Sequence, residues 1–405
     1  MNRKFTFQDK EIAGGHKSSF LGELWEILHF LRKTSVYSST PNNIIPYVNG
    51  EPITSYVIGE HITSPATKVI FPTNDRKVCL KVWLPCHNDV YDTKDIATRT
   101  AYLLEGLAFN RKFAKDVCLG VAPVIYRDEH LMQCGQVISQ PEISQVQFDV
   151  DYALIMNRLE KSWRLDRKLH GVLDNQKGME FLAKEVARIH KQLTQSRADM
   201  GTPECIASKM EFNIQLFDKA VNALSDLSAS RILRKACAAF TDKFKQRYIN
   251  GYIKRCHGDL KATNLWIPSH EGEMLTQLLA LDCVDFNPYF CHIDTLSDVA
   301  MLAVDIEVRL TYLQHRGGNK RLRPKLSRYF LEKYLKVFGE NIKEVWPLLE
   351  YYMTEKAMVC AYMSILYDGL PSLGEKYIKV ANAHAHNLEE LLISPNKLPS
   401  YLRKK

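Results

Sequence analysis

Three oxygen-bearing side chains at short, fixed spacing could carry chemistry in this chain. Asp259 lies in Cys256-His257-Gly258-Asp259-Leu260-Lys261-Ala262-Thr263-Asn264, and Asn264 follows it by five residues. Eighteen residues further on, after a short apolar run, comes Asp282 in Leu281-Asp282-Cys283-Val284-Asp285-Phe286. Phosphoryl transfer needs such a set: a carboxylate that orients or deprotonates a hydroxyl, and two oxygen ligands for a Mg²⁺ that bridges phosphates. His-Gly-Asp alone is also an ordinary turn. The weight comes from its company, Asn264 and Asp282. His257 is carried with Asp259 as a catalytic candidate, although its place two residues earlier suits fixing the loop better than reacting.

The elements that must hold these residues can be read around them. Residues 265–267 and 278–281 have strand character, and Glu271-Gly272 between them suggests a hairpin. Upstream, residues from about 53 to 84 are β-rich, with Thr67–Phe71 and Lys77–Leu84 joined by the turn former Pro72-Thr73-Asn74-Asp75. A helix is expected over 94–115, and strands over Val121–Tyr126 and Gln145–Met156. After Met156 helices dominate: 177–194, 210–250 as one or two, 297–313, 325–338, 341–367 and 373–392. The first 50 residues form an extension, with an amphipathic helix at 20–32 and a Ser/Thr/Asn/Pro-rich loop at 34–50. The chain thus divides into the extension 1–50, a small β-rich part 51–156 and a larger helical part 157–405, an α+β protein.

Composition excludes several other classes. The charge of +8 on 405 residues suits an anionic small ligand such as a nucleotide and is too weak to argue for DNA or RNA. Ten scattered cysteines form no CxxC pair, which speaks against a zinc site, and a chain this long needs no disulfide staples. No signal-peptide pattern opens the chain, and the longest apolar run, Val299–Ile306, contains Asp305, so no membrane span fits and a cytoplasmic setting is expected. Cys256 and Cys283 flank the site but lack an activating arrangement, so they read as packing residues. His384 and His386, two apart on a helix, face different ways and make a poor metal pair.

The pattern HGDLxxxN, then Leu281-Asp282-Cys283-Val284-Asp285-Phe286-Asn287, then His292-Ile293-Asp294-Thr295-Leu296-Ser297-Asp298-Val299-Ala300, resembles the aminoglycoside-phosphotransferase-like branch of the kinase fold. More narrowly, it is similar to a bacterial phosphotransferase-like domain that often precedes a P-loop ATPase domain. Glu60-His61-Ile62-Thr63, Lys81, Glu105, Leu119-Gly120-Val121 and Asp151–Met156 follow in the order of that domain, so the likeness spans roughly 55–370. It implies a bilobal protein-kinase-like fold and an ATP- and Mg²⁺-dependent transfer of the γ-phosphate to a hydroxyl. On this chain it makes Asp259 the catalytic carboxylate and gives Asn264 and Asp282 to the metal. Lys81 would meet the α- and β-phosphates, Glu105 would anchor Lys81, and Met156, Asn157 and Leu159 would form the adenine hinge. Asp298 would hold the catalytic-loop backbone, and Asp285 would support the metal site from behind.

Two departures from that pattern bear on function. No glycine occurs between Gly59 and Gly106, so a Gly-rich phosphate loop is absent and the cover is expected from His61–Thr67. The late helix that carries arginines and a lysine in the related domain here reads Tyr352–Tyr362 with Lys356 as its one cation, and no GxxxxGKS or GxxxxGKT of a fused ATPase occurs. The acceptor is expected to be a small hydroxyl compound. The alternatives are a non-catalytic nucleotide-binding pseudokinase or scaffold, and a protein kinase, which the short distance from Asp282 to Asp294 disfavours because it leaves no room for a long activation loop.

Overall fold

The structure is a computed structural model describing residues 54–394 except 129, 142–145, 148, 197–199, 222–227, 270–273 and 313–322. The helix expected at 20–32, the 34–50 loop, the Glu271-Gly272 turn and the basic C-terminal residues lie outside the described residues. The β-rich stretch folds as three antiparallel strands, β1 (Thr54–Thr63), β2 (Thr67–Pro72) and β3 (Val78–Trp83). The turn between β2 and β3 forms because its polar side chains take over backbone groups. Asn74 Nδ2 donates to Ser55 O at 2.7 Å, Asn74 Oδ1 accepts from Val57 N–H at 3.2 Å, and Asp75 Oδ1 accepts from Lys77 N–H at 2.9 Å. Helix α1 (Ile96–Phe113) is capped by Asp95, which accepts from Thr98 N–H at 2.8 Å. Then come β4 (Cys118–Tyr126), β5 (Leu131–Cys134) and β6 (Tyr152–Asn157).

The strands run β1-β2-β3-β6-β4-β5, and β5 pairs back on β1 to close the sheet. Lys81 is therefore interior to the sheet, opposite Val69 on one side and Leu154 on the other. The strand expected over 145–156 is shorter, from Tyr152 only: Gln147 N–H turns back to Tyr152 Oη at 3.1 Å and Asp151 is drawn to Arg99 Nε at 2.7 Å. The four-residue β5 was not expected, being too short to show an alternating pattern.

The larger lobe holds α2 (Gln176–Gln192), α3 (Pro203–Val221), α4 (Ser228–Ala239), α5 (Thr241–Ile249), β7 (Ile253–Arg255), β8 (Leu265–Trp266), β9 (Leu279–Ala280), β10 (His292–Asp294), α6 (Thr295–Tyr312), α7 (Arg323–Phe338), α8 (Ile342–Tyr362) and α9 (Pro371–Ile393). Where one or two helices were expected over 210–250, the chain makes three, α3 starting earlier at Pro203. Helix α6 runs through the middle of the core. Leu296, Val299, Ala300, Leu302, Ala303, Val304 and Ile306 are fully buried on every side of it, as expected of a helix apolar all round. Its two interior carboxylates, Asp298 and Asp305, are two turns apart and so share one face, which looks onto the Asp259 loop. Among the described residues no helix is long and apolar enough to cross a membrane.

His384 on α9 shows how the helical lobe handles its buried charges. Its Nδ1 lies 2.7 Å from Glu350 Oε2 and its Nε2 3.2 Å from Glu307 Oε2, whereas the His386 ring is exposed. Burial opposes the charged ring, but the two carboxylates outweigh it and lift its pKa to about 10. A pKa raised above the unfolded value of about 6.5 gives stability that is complete below that pH and is lost as pH rises through about 10. The melting-temperature gap between wild type and His384→Gln is thus expected to be widest near pH 6 and to close towards pH 10. A gap that is constant across this range would contradict the charged assignment.

Candidate active site

The Asp259 loop hangs between two small antiparallel ladders. On its N-terminal side β7 pairs with β10, Arg255 opposite His292, and on its C-terminal side β8 pairs with β9, Leu265 opposite Ala280. Gly258 takes φ +82°, and a Cβ there would stand 2.7 Å from Phe290 O. Gly258→Ala is therefore strained twice, in dihedral and in space. It is expected to lower the melting temperature by several degrees, read by thermal denaturation, and an unshifted transition would refute the tight packing of the loop on Phe290.

Helix α6 supplies the clamps. Asp298 Oδ2 accepts from His257 N–H at 3.0 Å and its Oδ1 from Gly258 N–H at 2.9 Å, while Asp305 Oδ2 accepts from Ala262 N–H at 2.7 Å. His257 itself is 2 % exposed. Its Nε2–H donates to Leu281 O at 2.9 Å, which fixes the tautomer, and Nδ1 then accepts from Asp259 N–H at 3.3 Å. Burial draws its pKa below the usual histidine range. With both nitrogens committed to backbone, His257 ties the loop to the strand that precedes Asp282, and the structure gives it a positioning place where the sequence carried it as a catalytic candidate.

The loop and the strand end deliver their side chains into one cleft, which Lys81, Gly258, Asp259, Lys261, Asp282 and Asp285 line. Asp259 Oδ2 takes Asn264 Nδ2 at 2.8 Å and Lys261 Nζ at 3.0 Å, and Asn264 Nδ2 also reaches Asp259 O at 2.9 Å. Asp282 is the one non-glycine residue with positive φ among the described residues, at 61°. Such a conformation is uncommon and costs energy unless its surroundings enforce it. Here it turns the carboxylate out into the cleft, with the side chain 58 % exposed, and onto Lys81 Nζ at 2.6 Å. Lys81 outweighs the cost of this partial burial and holds Asp282 below the usual carboxylate range.

Asp285 lies behind this pair, 4.0 Å from Lys81 Nζ and 5 % exposed. Burial pushes its pKa up to about 7, against the pull of Lys81 and with help from Asp282. Glu105, which the resemblance sets against Lys81, is placed otherwise. Its Oε1 accepts from Arg255 Nη2 at 3.1 Å, and Arg255 also donates to Cys256 O at 2.5 Å and Val284 O at 2.8 Å. Arg255 is 5 % exposed and has to be compensated, and Glu105 on the facing helix does this. The carboxylates against Lys81 are instead Asp282 and Asp285.

The expected hinge divides. Met156 and Leu159 pack, half-buried, on the apolar cluster that also includes Trp266 and Leu279, while Asn157 is committed to the β4 side, its N–H on Val117 O at 2.8 Å and its Nδ2 on Asp116 O at 2.6 Å. The expected phosphate cover contributes Ile62, Ser64 and Thr67 to the cleft lining. Ser64 and Thr67 close this turn through a 2.7 Å contact between their hydroxyls. The donor set suits a hard cation: the Asp282 carboxylate and the Asn264 amide oxygen are the oxygen ligands that Mg²⁺ favours when phosphates and water complete its shell. Cys256 and Cys283 are buried, and burial pushes both thiols up, away from the reactive thiolate.

No family model matches the chain, and no curated protein matches it. Among solved structures it is similar to Plasmodium vivax ethanolamine kinase, at 11 % identity over 92 % of this chain and 95 % of that one, TM-score 0.43. It is also similar to choline kinase from Cryptosporidium parvum, at 12 % identity over 92 % and 97 %, TM-score 0.47, and to a glucosamine kinase in complex with glucosamine, ADP and inorganic phosphate, at 15 % identity over 83 % and 76 %, TM-score 0.44. In this chain a closed β-rich part precedes a larger helical one.

Three further residues that build this site were not singled out in the sequence. Lys261 is the partner of Asp259 and lies within the motif itself, so its place could have been read from the spacing. Asp305 was visible as the lone charge in an apolar run, seven residues after Asp298. Gly106 is needed because a Cβ there would collide with the Asp285 carboxylate. A glycine in mid-helix beside Glu105 was its only signal.

Proposed function

We propose that this chain is an ATP- and Mg²⁺-dependent phosphotransferase that moves the γ-phosphate to the hydroxyl of a small molecule. The observation that carries this is the convergence of Lys81, Asp282 and Asp259 in one cleft from three separate stretches of chain. When bound, ATP and Mg²⁺ would supply the phosphoryl group and neutralise its charge, with Asp282 and Asn264 holding the metal. Lys81 is aimed at the phosphates from the sheet floor, and Met156 and Leu159 offer an apolar wall to adenine. Asp259, held by Asn264 and Lys261, accepts the hydrogen bond of the acceptor hydroxyl and aims it in line with the phosphorus. A small acceptor is favoured by the short return of the chain after Asp282. Asn287 caps a single helical turn, Pro288–Cys291, and β10 begins at His292, so no long segment is available to bind a peptide.

The test is transfer from γ-labelled ATP to a metabolite extract, run with wild type and Asp282→Ala, alongside thermal melting with ATP and Mg²⁺. Labelled product and Mg²⁺-dependent stabilisation are expected for wild type and neither for Asp282→Ala. Stabilisation without product across a broad acceptor set would favour a nucleotide-binding scaffold.

A further inference from the structure

The acceptor side of the cleft carries a charge pattern that the reaction does not require. Lys209 of α3 and Lys356 of α8 both line it, at 8 % and 7 % exposure. Two of the three N–H bonds of Lys209 go to neutral carbonyls, His292 O at 2.7 Å and Met200 O at 3.0 Å. Lys356 Nζ forms no hydrogen bond among the described residues. Its carboxylate neighbour is Glu355 Oε2 at 3.6 Å, and the other oxygen of Glu355 already accepts from Asn213 Nδ2 at 3.0 Å. Asp294 lines the same cleft but is held by Arg247, which Glu340 also engages. Asp368 stands with Lys261 and Asp259. Around Lys356, then, two ammonium groups face one carboxylate. Buried charges are normally paired, and an uncompensated one is costly. Burial, with Lys356 adding to it, holds Lys209 below the ordinary lysine range, as befits a place short of one negative charge.

We propose that this end of the cleft binds an anionic group, so that the acceptor is a hydroxyl compound bearing a carboxylate or a phosphate, its anion on Lys356 and Lys209 and its hydroxyl at Asp259. The pairing with a transferred phosphate rests on the phosphotransferase reading; the anion site itself does not. Half-buried Tyr289, Phe290, Val359 and Met363 complete the walls, so the compound is small and partly apolar in its body.

The site is tested by melting wild type, Lys356→Met and Asp259→Asn with saturating ADP and Mg²⁺, adding inorganic phosphate, acetate or choline. Lys356→Met without added anion is expected to melt about 2 °C higher than wild type, because the excess of two ammonium groups over the one Glu355 carboxylate is gone. Wild type and Asp259→Asn are expected to be stabilised by phosphate or acetate and not by choline, and Lys356→Met by none of them. The larger response of the two anions names phosphate or carboxylate as the group. Lys356→Met melting below wild type, an undiminished anion response in that variant, or stabilisation of wild type by choline alone would each overturn the site. An anion response as expected, with no transfer to any hydroxy acid or sugar phosphate, would leave the anion site standing and remove the phosphotransferase reading.

Discussion

Replacing Asp259 by asparagine is expected to lower the turnover for phosphate transfer by about 10²- to 10⁴-fold, with nucleotide affinity and melting temperature near those of wild type. The substitution keeps the shape of the side chain and one oxygen, so the 2.8 Å bond from Asn264 Nδ2 can persist. What it removes is the charge that faces the acceptor hydroxyl. Lys261 loses its ion partner, but its side chain is about one-third exposed, so the loss is softened by water. The Lys81–Asp282 pair, proposed to take the nucleotide, is left intact. The effect should therefore appear in kcat with little change in KM for ATP, the mark of an interaction made in the transition state. Initial rates with γ-labelled ATP, set beside direct ATP binding, make the comparison. Transfer at the wild-type rate would remove Asp259 from the chemistry and with it the reading of the whole cleft.

How far this site could be read in advance differs from residue to residue, for a physical reason. The Asp259–Asn264 contact and the pairing of β8 with β9 join residues within some twenty positions, so spacing exposes them. The helices of the larger lobe were legible for the same reason, their 3.6-residue period being local. The pairing of β7 with β10 joins Arg255 to His292 in strands of three residues, two of them charged in β7, and nothing local announces it. Glu105 shows the limit most clearly. Its helix and its charge were visible, yet its partner Arg255 lies 150 residues away and competes with Lys81 for it. Both cations are buried, but Lys81 already has Asp282 and Asp285 beside it, which leaves Glu105 to Arg255. The positive φ of Asp282 is equally invisible in the sequence, since the side chain it aims meets Lys81, 201 residues away.

The Asp298 clamp should produce the largest loss of stability of any single change near the site. Asp298 is 1 % exposed, and its two oxygens serve three groups: His257 N–H at 3.0 Å, Gly258 N–H at 2.9 Å and His190 Nε2 at 3.2 Å. Asp298→Ala would leave these donors buried and unpaired, a loss of about 3–5 kcal/mol, seen as a drop in melting temperature on the order of 10 °C. Asp298→Asn should fall between, because the two backbone donors bond different oxygens and an amide offers only one. Burial raises the pKa of Asp298, but the hydrogen bonds from His190 and from Gly258 N–H outweigh it and hold the carboxyl below its usual range. A depressed pKa contributes stability that is present above the unfolded value, about 3.9, and is lost as pH falls through the folded one. The gap between wild type and Asp298→Asn should accordingly narrow under acid conditions. The clamp also sets where Asp259 points, since Gly258 and His257 immediately precede it. Folded Asp298→Asn should thus show a lower kcat than wild type at temperatures well below its transition. A lower melting temperature with kcat unchanged would confine Asp298 to stability, and an unchanged melting temperature would mean that the loop is held by Asp305 and the two strand ladders alone.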